Sequence, residues 1–238
     1  MTNDAHEQLR TEFNEWARAG KGESMERGHG PVGRQAIELM RVPADARVLD
    51  VGCGSGWATR LLAEYAVNGR VTGIDISDEM IRLARESSLL FPNVDYQLAS
   101  AGQLPFADGE FTHAFSMESL YYYANLPAAL DEIQRTLRAG GIFVTVIDLY
   151  RESRASHQWV EQLKVPVQLL SIDDYRSLFA GAGFVNIRDQ RLFDPRPVPD
   201  DYTGSSFKSR EDYEEYRRTG SLMLTGERRS TDYADSTD

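Results

Sequence analysis

Val48-Leu49-Asp50-Val51-Gly52-Cys53-Gly54-Ser55-Gly56-Trp57 is the stretch that decides the fold. Its first four residues read as a buried strand, glycines follow at three alternate positions, and a helical pattern opens at Trp57. Glycine is needed where the backbone takes a positive φ or where a ligand lies against the main chain. A helix beginning just after such a turn aims its free N–H groups and positive dipole end at it, which favours a carboxylate or phosphate there. Asp75 comes nineteen residues after Gly56, in Gly73-Ile74-Asp75-Ile76 at the end of a second strand. That frame puts its carboxylate at the sheet's carboxyl edge beside the turn, where it accepts both hydroxyl hydrogens of a ribose. The expectation is an adenosine-containing cofactor. G-x-G-x-G followed by bulky Trp57 differs from the G-x-G-x-x-G of dinucleotide folds, and no Gly-Lys-Ser/Thr ending marks a nucleoside-triphosphate loop.

Outward from the turn, helices alternate with strands. Helices are expected at about 57–65, 78–86 opened by Ser77, 126–137, 172–182 opened by Ser171, and 210–219. Strands are expected at 47–51, 71–76, 94–98, 111–116, 141–149 and 184–192, with 221–225 a closing strand. Such alternation implies a parallel sheet with helices on both faces. Before it, Leu9, Phe13 and Trp16 recur at helical spacing over about 4–19. Gly20, Gly22, Gly28, Gly30 and Gly33 with Pro31 then read as a mobile loop, followed by a helix over 32–40. Residues 1–43 are therefore expected to form an N-terminal helical cap, 44–226 the main domain, and 227–238 a frayed tail.

The chain has 238 residues and a formal charge of −11, which repels a phosphate backbone and disfavours nucleic acid as the main partner. A single cysteine, Cys53, excludes an internal disulfide framework and a multi-thiolate metal site. No stretch is apolar enough for a membrane span and the first residues lack a secretory pattern, so a cytoplasmic protein is expected.

The glycine turn, Asp75, Leu104-Pro105-Phe106-Ala107-Asp108-Gly109-Glu110-Phe111 and Leu137-Arg138-Ala139-Gly140-Gly141 together resemble class I S-adenosylmethionine-dependent methyltransferases. The likeness is greatest to the branch with quinone-, sterol- and tocopherol-type enzymes, and it runs from about 44 to 149 and more weakly to 192. It implies an α/β, doubly wound, Rossmann-like sheet of seven mostly parallel strands. It also implies S-adenosyl-L-methionine as cofactor and methyl transfer to carbon, oxygen or nitrogen of a small-molecule acceptor. Asp50, Gly52, Cys53, Gly54, Gly56, Asp75, Ile76, Ser100, Ala101 and Ser116 are the cofactor-binding positions so implied. Asp50 orients the turn, Asp75 takes the ribose hydroxyls and Ile76 packs on adenine. Ser100 stands where the family has an acidic residue, and Thr112 where an Asp is common. A methyltransferase-like regulatory protein that keeps only the cofactor site, and a nucleotide-linked oxidoreductase, are the alternative readings.

Ligands of an open parallel sheet sit beyond the carboxyl ends of its strands. The fourth strand ends in Ser116-Met117-Glu118-Ser119-Leu120-Tyr121-Tyr122-Tyr123 and the fifth in Ile147-Asp148-Leu149-Tyr150. Three consecutive tyrosines cannot all point into a core from one face, so at least one, with Tyr121 as the candidate, is expected in the pocket. His29, in the glycine-punctuated segment, is the candidate general base, and Glu118 a carboxylate able to bind an amine or position a hydroxyl. His113, inside a strand, reads as a core residue, and His6 and His157 as surface or cap residues. Glu118 and Asp148 together raise a magnesium site, but Leu149 stands where catechol-type enzymes have asparagine, and no metal is expected. Trp159, Val160, Leu163, Val165, Val167, Leu169 and Leu170, with Trp16, point to a partly enclosed pocket for an apolar or mixed acceptor.

Overall fold

A computed structural model describes residues 2–200, 202 and 206–230. The chain runs α1 (Thr2–Arg18), α2 (Lys21–Met40), β1 (Arg47–Val51), α3 (Trp57–Tyr65), β2 (Arg70–Asp75), α4 (Asp78–Ser87) and β3 (Val94–Leu98). It continues through β4 (Phe111–Met117), α5 (Leu126–Thr136), β5 (Leu137–Ile147), α6 (Ile172–Gly181), β6 (Phe184–Leu192), α7 (Arg210–Thr219) and β7 (Ser221–Arg228). Seven strands form one sheet in the order β3-β2-β1-β4-β5-β7-β6. The β1–β2, β2–β3, β1–β4 and β4–β5 pairs are parallel, whereas β7 runs antiparallel to both β5 and β6. This is the doubly wound, mostly parallel sheet implied by the sequence.

Val32, Ala36, Ile37 and Met40 of α2 and Leu61 and Leu62 of α3 cover one face, against Val48, Val71, Phe115 and Val144. Leu126, Leu130 and Ile133 of α5 and Tyr175 and Phe179 of α6 cover the other, against Leu49, Phe143 and Leu224. Each fully buried leucine or isoleucine contributes about 1.5–3 kcal/mol of transfer free energy. Strand order reverses between β1 and β4, so the connections leave in opposite directions and a crevice opens at their carboxyl ends.

Two expectations need correction. The segment from Gly20 to Gly33 is not a loop: helix α2 spans Lys21–Met40 with Pro31 inside it. Its four glycines and one proline give a deficit of about 7 kcal/mol against alanine. Tertiary packing offsets it, since a Cβ at Gly22 would lie 2.9 Å from Ser55 Cβ and one at Gly33 would lie 2.5 Å from the Trp57 ring. These glycines let α2 press on the turn and α3. Second, β7 extends to Arg228, because pairing with β5 and β6 continues through Glu227 and Arg228. The expected tail thus begins inside the sheet, and its residues 231–238 lie outside the described ones.

Candidate active site

One cavity of about 600 Å³ occupies the crevice, lined from the turn by Gly52, Cys53, Gly54 and Ser55 and from the end of β2 by Asp75 and Ile76. Gly52, Gly54 and Gly56 all adopt left-handed φ, at 75°, 52° and 77°. Their surroundings differ. A Cβ at Gly52 would meet Ser119 at 2.6 Å and one at Gly56 would meet Tyr96 Oη at 2.3 Å, whereas one at Gly54 would meet nothing within 4 Å. Gly54 is the glycine that keeps cavity space open, and Gly56 makes room for Tyr96 behind the wall.

The Asp75 carboxylate is held from behind. Oδ2 accepts from Gly54 N and Oδ1 from Ser77 N, each at 2.9 Å. Burial raises its pKa from the usual carboxylate value, with the two backbone bonds opposing the rise. Each oxygen retains a lone pair for a further donor. Ala99, Ser100 and Ala101 continue the wall beyond Ile76. Asp50 and Ser116 lie behind it. Asp50 accepts from Thr59 Oγ1 at 2.6 Å, and burial pushes its pKa up to about 7. Ser116 hydroxyl pairs with that of Ser119 at 2.5 Å, and Tyr123 donates to Ser119 at 3.0 Å. A carboxylate with two free lone pairs, open space over Gly54 and apolar Ile76, Ala99 and Ala101 fit a ribose carrying a planar base.

The opposite end of the cavity is built from four elements. β4 and β5 end side by side, and Glu118, at φ 54°, turns its side chain across to β5. Its Oε1 accepts from Asp148 N at 2.5 Å and its Oε2 from Tyr121 Oη at 2.9 Å. A non-glycine residue in this region stores strain, which the two bonds sustain. Burial, with the Asp148 charge adding, raises the Glu118 pKa to about 8, and the Tyr121 phenol lies well above 10. Glu118 is thus a protonated clamp between strands at neutral pH, and Tyr121 stays a neutral donor. All three consecutive tyrosines line the cavity, Tyr122 meeting Phe13 edge-on at 5.0 Å.

His29 reaches this end from α2. Its Nδ1 lies 3.3 Å from Oδ2 of Asp148, a side chain only 1% exposed. Burial alone would lower the imidazole pKa, but the bond to Asp148 and the charge on that carboxylate carry it above 6.5. Asp148 is driven below its ordinary value by His29 in spite of burial. Tyr216 of α7 donates to the same Oδ2 at 2.7 Å. His113 is buried in β4 beside Thr112, and desolvation lowers its pKa to about 4, so it stays neutral. His157 lies 3.2 Å from Tyr150 O, and His6 is an exposed rim residue.

The β6–β7 connection closes the top. Trp159 packs on Phe207 and Tyr216 with ring centroids at 5.3 and 5.6 Å. Pro31 cannot donate to Arg27 O, and Arg196 Nη1 donates to that carbonyl instead, at 2.8 Å. Asp194 holds Arg196 in place at 2.6 Å. Asp194, Arg196, Tyr213, Tyr216 and Arg217 were not singled out from the sequence, where only a helix and three prolines were visible. α1 is pinned over the Asp75 end, Ser77 donating to Asn14 Oδ1 at 2.6 Å and Asn14 to Asp78 at 2.8 Å.

A family model described as a methyltransferase domain matches residues 49–145. The O-methyltransferase rstn1 of Aspergillus nomiae is 33% identical over 159 residues, covering 63% of this chain and 69% of that protein. The chain belongs to the class I methyltransferase family. The O-methyltransferase cnsE of Penicillium expansum is 34% identical over 154 residues, 60% of this chain and 54% of that protein. Matches to these curated relatives thus span about half to two thirds of their length. A solved chain from a complex with the Haloferax volcanii Trm112 methyltransferase activator is 31% identical, with a TM-score of 0.86 over 92% of this chain and 98% of that one. The methyltransferase core of β1 to β5 carries the turn, Asp75 and Glu118, whereas His29 and Tyr216 come from outside the matched residues. No helix of the described residues is long and apolar enough to cross a membrane.

Proposed function

We propose that this chain transfers a methyl group from S-adenosyl-L-methionine to a small-molecule acceptor. The observation that carries the reading is the single cavity with Gly54 and Asp75 at one end and His29, Asp148 and Tyr121 at the other. S-adenosylmethionine supplies a methyl group on a sulfonium, an already good leaving group, so alignment provides much of the catalysis. Asp75 takes the ribose hydroxyls, Ile76 packs on the base and Ser100 accepts from the adenine amino group. Gly52 and Cys53 border the turn, while Asp50, Gly56 and Ser116 shape it from behind. Phe13, Tyr122 and Trp159 exclude water from an apolar or mixed acceptor, and His29 takes its proton where one must be lost. Residues 1–43 serve as the cap.

Titration calorimetry with S-adenosylmethionine, S-adenosylhomocysteine and, as control, NAD tests this. Micromolar binding of the first two, about −8 kcal/mol, is expected. Binding of NAD with none of either sulfur ligand would overturn the reading.

A further inference from the structure

We propose that Asp148 and Tyr216 are positioning residues that hold the His29 imidazole as a proton acceptor, its Nδ1 turned to the Asp148 carboxylate and its Nε2 to the cavity. This rests on the reading of that end of the cavity as the acceptor site. A neutral imidazole has one protonated and one free nitrogen, and the partner of the first decides which is free. Asp148 Oδ2 stands 3.3 Å from Nδ1. Its carboxylate is buried and held from the other side by Tyr216 Oη, while the bond from Asp148 N to Glu118 fixes the backbone beneath it. His29 lines the cavity, and no hydrogen bond of its Nε2 is found among the described residues.

The other charged groups here are engaged elsewhere. Glu118 has both oxygens occupied, Arg196 and Arg217 are gathered on Asp194, and the Lys21 ammonium lies over the Trp16 ring at 4.1 Å. Asp148 is thus the carboxylate left to balance an imidazolium at His29. An acceptor O–H gives its proton to Nε2 and keeps the electron pair on oxygen, and the resulting positive charge stands opposite the one negative charge of Asp148. Tyr216 fixes the same carboxylate oxygen from α7. The aromatic cover and the proton acceptor are therefore joined, so that α7 must be in place for His29 to be aligned.

The chain has four histidines, His6, His29, His113 and His157, few enough to follow separately by NMR of the full protein carrying ¹⁵N-histidine. His29→Ala assigns the signal. In the wild type His29 is expected to titrate above 6.5 and, once neutral, to carry its proton on Nδ1. Asp148→Asn removes an opposite charge and is expected to lower its proton affinity at least about tenfold. Tyr216→Phe is expected to raise it, because the remaining carboxylate loses a donor that drained its charge. Opposite shifts from two neighbouring substitutions are not what loss of packing produces. A neutral wild-type imidazole protonated on Nε2, or a His29 titration unmoved in Tyr216→Phe and in folded Asp148→Asn, would overturn the proposal. If Asp148→Asn fails to fold, the wild-type tautomer and Tyr216→Phe decide. Calorimetry with S-adenosylhomocysteine on the same samples separates the two readings: absent binding removes the cofactor site, whereas binding with an ordinary His29 removes only the positioning role.

Discussion

Two glycines of one turn should fail in different ways when each is replaced by alanine. Both have left-handed φ, 52° at Gly54 and 77° at Gly56, so each substitution costs about 1–2 kcal/mol of backbone strain. At Gly54 nothing further is lost, since the new methyl enters open space. At Gly56 the methyl would lie 2.3 Å from Tyr96 Oη and 2.8 Å from Cζ. Tyr96 cannot retreat: its hydroxyl bonds Ser88 at 2.8 Å, and its ring already lies where a Cβ on Gly73 would be, at 2.8 Å. Overpacking adds about 1–3 kcal/mol, giving about 2–5 kcal/mol in all. At about 2–4 °C per kcal/mol for a chain of this size, Gly56→Ala should melt about 4–20 °C lower and Gly54→Ala about 2–8 °C lower. Thermal unfolding followed by circular dichroism without ligand measures both. Tyr96→Phe in the Gly56→Ala background should recover part of the loss, as directly coupled neighbours do. Equal shifts for the two alanines would refute the division of the turn into a packing glycine and a ligand glycine.

Asp75→Asn keeps the shape of the side chain but loses its charge and an acceptor, so S-adenosylhomocysteine should bind about 10–100-fold more weakly by calorimetry. Unchanged affinity would remove Asp75 from the site. Arg196→Ala frees the Arg27 and Gly28 carbonyls at the proline break, and amide exchange over residues 24–32 should quicken about tenfold with the global melt nearly unchanged. Glu118 holds a proton up to about pH 8 when folded but releases it near 4.5 when unfolded, so its contribution to stability falls as pH rises through that window. His29, raised above 6.5, acts in the same direction, its contribution being lost as pH rises through its folded pKa. Urea unfolding from pH 5 to 9 should show this decline, less steeply in Glu118→Gln, and identical slopes would contradict the protonated clamp.

Much of the core was legible because its signals are local. β1, α3, β3, β6 and α7 fall at their expected residues, since each rests on apolar periodicity, a capping Ser or a glycine within a few positions. Ser77 and Ser171 both cap the helices they were expected to open, at 3.0 and 3.1 Å. The loop expected over 20–33 failed for the opposite reason. Glycine and proline weaken α2 intrinsically, and the surfaces that offset this belong to Ser55 and Trp57, which no reading of residues 20–33 alone contains.

The candidate site divides along the same line. By itself the sequence determined the glycine turn and Asp75, because a strand, a turn of left-handed glycines and a second parallel strand leave one edge for that carboxylate. It also marked His29, Glu118 and Tyr121 as groups with usable chemistry. Only the tertiary structure decided what each of them touches. Asp148 lies far along the chain from His29 and from Tyr216, and their meeting depends on β5 ending beside β4, on α2 lying across the crevice and on α7 returning over it. Burial then set their charges, keeping Glu118 protonated and Asp148 ionised although both are carboxylates at neighbouring strand ends. Desolvation acts on both, and His29 stands beside only one of them at hydrogen-bonding range.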